Sequence, residues 1–249
     1  MKIVVIGGSG LIRRHLTAEL SRQGHEAVAA SPSSRVNSLT GEGLARVLAG
    51  ADVVVDVSNS SSVEDAAVLD FFERSSRNLL AAEREAGVKH HVALSIVGTD
   101  CLEGNGYFLA KVAQERLIAA SGLPFTIVRA TQFFEFVATI AQASVAGDRI
   151  VVPDADLQPI AAVDVAAALA DVALAPPRNT TIEIAGPERM PFRDFVAHSI
   201  ASTGDRREVL ADKAARYFGA AHDKGSLVPE QAEAARLGPA RFESWLAAA

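Results

Sequence analysis

Short apolar runs alternate with longer amphipathic stretches along most of the chain. Residues 2–6 (KIVVI), 26–30, 51–57 (ADVVVDV), 92–97, 125–129, 150–152 and 181–185 read as strands, with 160–162 as a further extended piece. They are rich in Val, Ile and Ala, and 51–57 is apolar on both faces, as a strand inside a parallel sheet is. Helical stretches separate them at 11–23, 43–48, 63–86, 107–120, 132–146 and 163–174, and a last one covers 192–202. Gly24 and Gly87 stop two of these helices, and Gly122 with Pro124 breaks a third. In the 63–86 helix, Phe71, Phe72, Leu79 and Leu80 form the buried side. Regular strand–helix alternation predicts right-handed crossovers within one parallel sheet, hence an α/β fold. The tail from Thr203 to Ala249 is charged and poor in strand pattern, and two weak helices are expected in it.

The first strand and its turn carry the clearest chemistry. KIVVI is followed by Gly7-Gly8-Ser9-Gly10 and by a helix that starts at Leu11. Strand, glycine turn and helix together form the phosphate-binding corner of a βαβ unit. Glycine permits a tight turn and close approach of backbone N–H groups, and the helix N-terminus adds the positive end of its dipole. Gly7, Ser9, Gly10, Leu11 and Ile12 are therefore candidate cofactor-binding residues. The spacing Gly7-x-x-Gly10-x-x-Arg13 departs from a three-glycine pattern, because arginine holds the third position. Arg13 either blocks close packing there or swings outward and offers its charge to a phosphate. A corner that begins at residue 2 also leaves no room for a signal peptide.

The next two strand ends extend this site. Ser31-Pro32-Ser33-Ser34-Arg35 stands where a dinucleotide fold meets the adenosine ribose. No Asp or Glu is present there to take a 2′-hydroxyl, whereas Ser31 and Arg35 suit a 2′-phosphate. NADP(H) is accordingly expected in preference to NAD(H), the alternative being a solvated polar loop. Ser58 and Asn59 follow the third strand and either line the cofactor site or cap the next helix.

A proton-delivery set comes next. Tyr107 and Lys111 are spaced i, i+4 and share one helix face, and Ser95 closes the preceding strand. A tyrosine acts as general acid in carbonyl reduction when a nearby ammonium lowers its pKa, and a serine hydroxyl can bond the substrate oxygen. Beyond the fifth strand, Gln132, Phe133 and Phe136, together with Tyr107, outline a pocket suited to a flat, aromatic or quinone-like small molecule. Phenylalanines near a helix start also serve as core, so that alternative stays open.

Composition narrows the field. A formal charge of −6 and a pI near 5.5 argue against nucleic acid as a partner. No apolar run approaches the roughly 20 residues that a membrane span needs. The single cysteine, Cys101, fits a cytoplasmic protein without an internal disulfide. No metal site is expected: His90-His91 reads as flanking the start of a strand, with no ligand spacing around it.

Taken together, VVIGGSGLI (4–12), DVVVDVSN (52–59), ALSIVGTD (93–100), YFLAK (107–111) and FTIVRATQFFEF (125–136) resemble the short-chain dehydrogenase/reductase superfamily in its atypical NmrA-like branch. PIAAVDVAAAL (159–169) and TIEIAGPE (181–188) resemble it as well. The resemblance implies a Rossmann-type doubly wound parallel sheet with a small C-terminal α/β substrate lobe. It places an NAD(P)-binding core at 1–152 and most of the lobe at 153–249, with some segments returning to the core. It implies NAD(P)(H), usually NADPH, held in part by Gly7, Gly10 and Lys111, with Tyr107 either the acid or a pocket wall. Three functions stay open: an NADPH-dependent reductase of a carbonyl, quinone or related acceptor; a catalytically silent NAD(P)-sensing regulator; and the fold reused for cyclisation or elimination.

Overall fold

A computed structural model describes residues 1–7 and 10–248, so Ser9 of the glycine corner lies outside the described residues. The first half alternates β1 (Lys2–Ile6), α1 (Leu11–Arg22), β2 (Glu26–Ala30), α2 (Leu44–Leu48), β3 (Val53–Asp56), α3 (Asp65–Ala86), β4 (His90–Ile96), α4 (Gly106–Ala119) and β5 (Phe125–Ala130). The second half carries α5 (Val137–Ala143), β6 (Val145–Ala146), β7 (Arg149–Pro153), β8 (Asp156–Leu157), α6 (Ala162–Leu174) and β9 (Thr180–Ala185). It ends with β10 (Met190–Pro191), α7 (Phe192–Ser202), β11 (Val209–Asp212), β12 (Arg236–Leu237) and α8 (Phe242–Ala248).

The central sheet has seven strands in the order β12-β9-β5-β4-β3-β1-β2. β1 pairs in parallel with both β2 and β3, and β3 with β4. Ile3, Val4 and Val5 have no exposed surface, because helices cover both faces of a sheet wound this way. The 3.6-residue period of α3 buries Val68, Phe72, Leu79 and Leu80, each contributing roughly 1.5–3 kcal/mol of apolar burial. The α/β architecture expected from the alternation, and the doubly wound sheet that the resemblance implies, are the ones observed.

The chain forms two compact units interleaved in sequence. The first contains Met1–Ser95, Gly106–Arg129 and Val165–Ile182; the second contains Ile96–Asn105, Ala130–Asp164 and Glu183–Ala249. The first unit holds most of the central sheet. The second has its own aromatic core, in which Phe134 packs on Phe242 and Trp245, and Phe195 packs on Phe242 at 4.5 Å between ring centroids.

Several local expectations are corrected. The strand at 150–152 lies outside the central sheet: β7 pairs antiparallel with β6 and parallel with β11. A two-residue link, Gly147-Asp148, joins β6 to β7, and so short a connection permits only a hairpin. The helix expected over 132–146 is a 3₁₀ turn at Phe134–Phe136, then α5, then β6. The strand at 181–185 is not the last, and of the two tail helices expected only α8 forms. His90 and His91 do not flank β4 but lie within it, both buried. His90 Nε2 is 2.9 Å from Thr126 Oγ1, and His91 Nδ1 is 2.9 Å from Glu83 Oε1.

Candidate functional site

The chain runs from β1 to β2 on one side and then returns to β3 on the other, so the C-terminal end of β1 is a topological switch point. A cavity of about 230 Å³ opens there. Its walls include Gly7, Ser31, Ser58 and Asn59, all expected from the sequence, together with Ser38 and Phe71, which were not. Gly7 is required by packing: a Cβ would stand 2.9 Å from Val57 Cγ2 and 3.0 Å from the Val57 carbonyl oxygen. Gly10 has a different role. It is the N-cap of α1, and a Cβ there would meet nothing within 4 Å, so glycine leaves the space before the helix clear. Among the described residues, α1 has no side-chain cap and no acidic residue in its first turn, which leaves its first N–H groups and positive dipole end available to an anion. Leu11 is half-buried and Ile12 buried, so Ile12 anchors the helix in the core.

The corner also holds polar atoms without partners. Ser58 Oγ, on the cavity wall, and Arg13 Nε are both buried and unpaired among the described residues. A buried donor without a partner is costly and marks a place that a ligand can satisfy. The residues present therefore fit a dinucleotide: a clear helix N-terminus, a glycine that permits close backbone approach, and an unsatisfied hydroxyl beside the cavity.

The 31–35 turn is more self-contained than its composition suggests. Ser34 Oγ accepts from Ser31 N and donates to the Ser31 carbonyl, both at 2.9 Å, and Ser31 Oγ lies 2.8 Å from Ser33 Oγ. Arg35 is exposed, has a φ of 56°, and lies outside the cavity lining; its carbonyl accepts from Arg46 Nη2. Its guanidinium is thus free of the turn's internal bonding.

Tyr107 and Lys111 lie on α4, which starts at Gly106 because Gly106 N donates to Asp65 Oδ1 and a side chain would collide with Asp65. Phe72 of α3 brings the two together: Tyr107 meets that ring edge-on at 5.9 Å, and Lys111 Nζ lies 4.7 Å above it. Lys111 Nζ donates to the Leu94 carbonyl at 2.8 Å and to Gln114 Oε1, and Gln114 Nε2 donates to Asp56 Oδ2 at 3.0 Å. Burial brings the Lys111 ammonium down to about 8, with Asp56 and Glu115 opposing the shift. Tyr107 moves the opposite way from expectation. Burial pushes its phenol up to about 12, only partly offset by a hydrogen bond with Asn59. The lysine charge goes instead to Leu94, Gln114 and the Phe72 ring.

Ser95 is buried, and its hydroxyl donates to Glu115 Oε1 at 2.5 Å. Arg129 holds the same carboxylate with two bonds, Nε at 3.0 Å and Nη2 at 2.7 Å. Ser95 is therefore joined to Glu115 and Arg129, while Lys111 is joined to Gln114 and Asp56. Sequence reasoning missed these four partners. The readable signal was that Gln114 and Glu115 sit three and four residues after Lys111, on the buried stripe of α4.

In the second unit, Gln132 is 7% exposed, and among the described residues neither Nε2 nor Oε1 of its amide has a partner. Phe133 is half-buried and Phe136 is 51% exposed; their rings stack at 5.6 Å and 29°. Phe134, between them, is core.

Residues 7–176 match a family described as NAD(P)H-binding. The chain is 24% identical, over 149 residues, to the photosystem II assembly factor Ycf39 of Synechocystis sp. That match covers 54% of this chain and 46% of Ycf39, so the chain spans about half the length of the curated relative it matches. The fold is similar to MoeE5 in complex with UDP-glucose and NAD (TM-score 0.73, 18% identity, 99% of this chain and 96% of that one). It is also similar to the UDP-glucose 4-epimerase of Thermus thermophilus in complex with NAD (0.70, 18%, 98% and 93%). A third similar structure is the dTDP-4-dehydrorhamnose reductase of Bacillus anthracis str. Ames in complex with NADP (0.68, 15%, 98% and 92%). Among the described residues, no helix is long and apolar enough to cross a membrane.

Proposed function

Because this chain belongs to the NAD(P)H-binding family, we propose that it is an NADPH-dependent reductase of a small carbonyl, quinone or related acceptor. The carrying observation is Lys111, buried against Phe72 beside Tyr107 and linked through Gln114 to Asp56 at the end of β3. A buried lysine with its ammonium brought down to about 8 is an expensive feature, and such perturbed groups concentrate at functional sites. When bound, the nicotinamide cofactor supplies a hydride. The chain's own residues do the rest. The α1 N-terminus holds phosphate through backbone N–H groups, and Ser58 offers a hydroxyl beside the cavity. Lys111 presents a positive charge at a fixed place, and Tyr107 holds a proton that burial keeps on its oxygen. The setting proposed is the cytoplasm, consistent with a single, exposed cysteine.

Calorimetric titration with NADPH and then NADH tests this reading. Binding of NADPH in the micromolar range, followed by oxidation with an acceptor panel, supports it; absence of binding sinks it. Tyr107→Phe should keep NADPH affinity and lose roughly 100-fold in turnover. Full turnover in that variant removes Tyr107 from proton delivery. Arg35→Ala should weaken NADPH about tenfold and NADH little, as loss of a charge-assisted phosphate contact does. Equal effects on both cofactors would place Arg35 away from the 2′-phosphate.

A second reading is a silent NAD(P)-sensing regulator. It is favoured by the Tyr107 phenol at about 12 and by the Ser95 hydroxyl already given to Glu115. A sensor binds NADPH with the same affinity and oxidises it with no member of the panel.

A further inference from the structure

Asn59 touches two parts of the first compact unit at once. It lines the cavity at the end of β1, and its side chain is hydrogen-bonded to the Tyr107 phenol. Asn59 Oδ1 accepts from Ser60 N at 3.0 Å, which leaves Nδ2 as the end that donates to the phenol oxygen. A donor to that oxygen favours the phenolate, in keeping with the downward pull of Asn59 on Tyr107. A second link runs beside the first. Phe71 also lines the cavity, and its ring meets Phe72 edge-on at 5.2 Å. Phe72 in turn packs on Tyr107 and lies under Lys111 Nζ. The exposed loop that carries Asn59 is held by local bonds: Ser58 N donates to Asp56 Oδ1, Ser62 N to Ser60 Oγ and Glu64 N to Ser62 Oγ, at 2.9 to 3.1 Å. Turns of this reach let a loop shift slightly without disturbing the sheet beneath it.

We propose that Asn59 is a positioning residue that couples occupancy of the cavity to Tyr107: a nucleoside group bound there draws the Asn59 amide to itself and releases the phenol. The inference rests on the nucleotide-binding part of the reading above and requires no reduction. At about 230 Å³ the cavity is smaller than the roughly 300–1,000 Å³ of sites that take a whole drug-sized ligand, so it suits one nucleoside of a dinucleotide. Its Ser31, Asn37, Ser38 and Asn59 side chains offer polar partners to ring nitrogens and ribose hydroxyls. A ligand shifts an equilibrium only through contacts it makes in one of the two states. Here that contact is the bond to Nδ2, and a single hydrogen bond is a modest tie that one ligand bond replaces. The result is an order of events. The phenol is tied back while the cavity is empty, and its O–H is free to turn to a second molecule once the nucleotide is in place.

The chain has two tyrosines, Tyr107 and Tyr217, so tyrosine labelled with ¹³C at Cζ gives a spectrum that Tyr107→Phe or Tyr217→Phe assigns. The probe is ADP, which carries the nucleoside and no nicotinamide. Saturating ADP should move the Tyr107 signal of the full-length chain and leave that of Tyr217 in place. Ligand-free Asn59→Ala should already show the Tyr107 signal displaced in the same direction. ADP should then shift it by less than a quarter of the wild-type change. That variant should bind ADP no more than about tenfold more weakly, the worth of one hydrogen bond, so its cavity can still be filled. Absence of ADP binding, an unmoved Tyr107 signal in the ADP-bound wild type, or a full shift in Asn59→Ala overturns the inference; the last would assign the coupling to Phe71 and Phe72. NADPH oxidation by the same samples keeps the two claims apart. A Tyr107 shift without reduction of any acceptor sinks the reductase reading and leaves the coupling standing. Reduction of an acceptor with an unmoved Tyr107 does the reverse.

Discussion

Arg129→Met is expected to lower the unfolding free energy by about 3 kcal/mol, the largest single stability loss anticipated in this chain. Arg129 and Glu115 expose 14% and 10% of their side chains, so each charge relies on the other instead of on water. Methionine matches the length of the stem but leaves the Glu115 carboxylate with Ser95 as a hydrogen-bond donor. Most of the loss comes from that stranded charge and not from the absent bonds. Adding Glu115→Gln to Arg129→Met should therefore recover more than half of it. Urea unfolding of the two single variants and the double variant checks this. Strict additivity of the two losses would show that the pair is uncoupled.

The second large effect concerns Lys111→Met. Under the proposed function, in which Lys111 presents its positive charge at a fixed place, turnover should fall by 100-fold or more. A stability signature is independent of activity. The ammonium is at about 8 in the folded protein, against 10.5 for an ordinary lysine. Between these values the unfolded chain binds more protons than the folded one, so stability rises with pH. Over pH 8 to 10 the wild type should gain about 2 kcal/mol, and Lys111→Met should lose that slope. Tyr107 acts in the opposite direction above pH 10, because its proton is held up to about 12 and the unfolded chain releases its own first. Denaturant midpoints at pH 8, 9 and 10 separate the two. A slope that persists in Lys111→Met would assign the titration to another group.

The sequence carried the fold because the fold rests on local pattern. KIVVI, VVVD and the apolar runs within β4 and β5 are legible as strands of a parallel sheet, since they are short, rich in Val, Ile and Ala, and alternate with helices, three of which a glycine or proline stops. Gly7 was legible from the strand–turn–helix order, but its crowding against Val57, which follows β3, is a tertiary contact that the order does not reveal. The extended piece at β7 was legible as a strand, but its sheet was not. Pairing depends on which chain segment returns beside it, and β11 is more than fifty residues away.

The site divides along the same line. Tyr107 and Lys111 share a helix face by spacing alone, and Ser58 and Asn59 follow β3 by order alone. Their states are tertiary. The Tyr107 phenol rises instead of falling because Phe72 and the surrounding core remove water from it, while the Lys111 charge is taken by a carbonyl of β4 and by Gln114. Ser95 meets Glu115 and Arg129 because β4, α4 and β5 pack side by side, a contact between residues twenty and fourteen positions apart that no period reveals. The chain's own sequence determined which residues are candidates, through periodicity and glycine placement. Only the packed structure decided which are charged, which are paired and which wait without a partner, because burial and hydrogen bonding belong to neighbours in space.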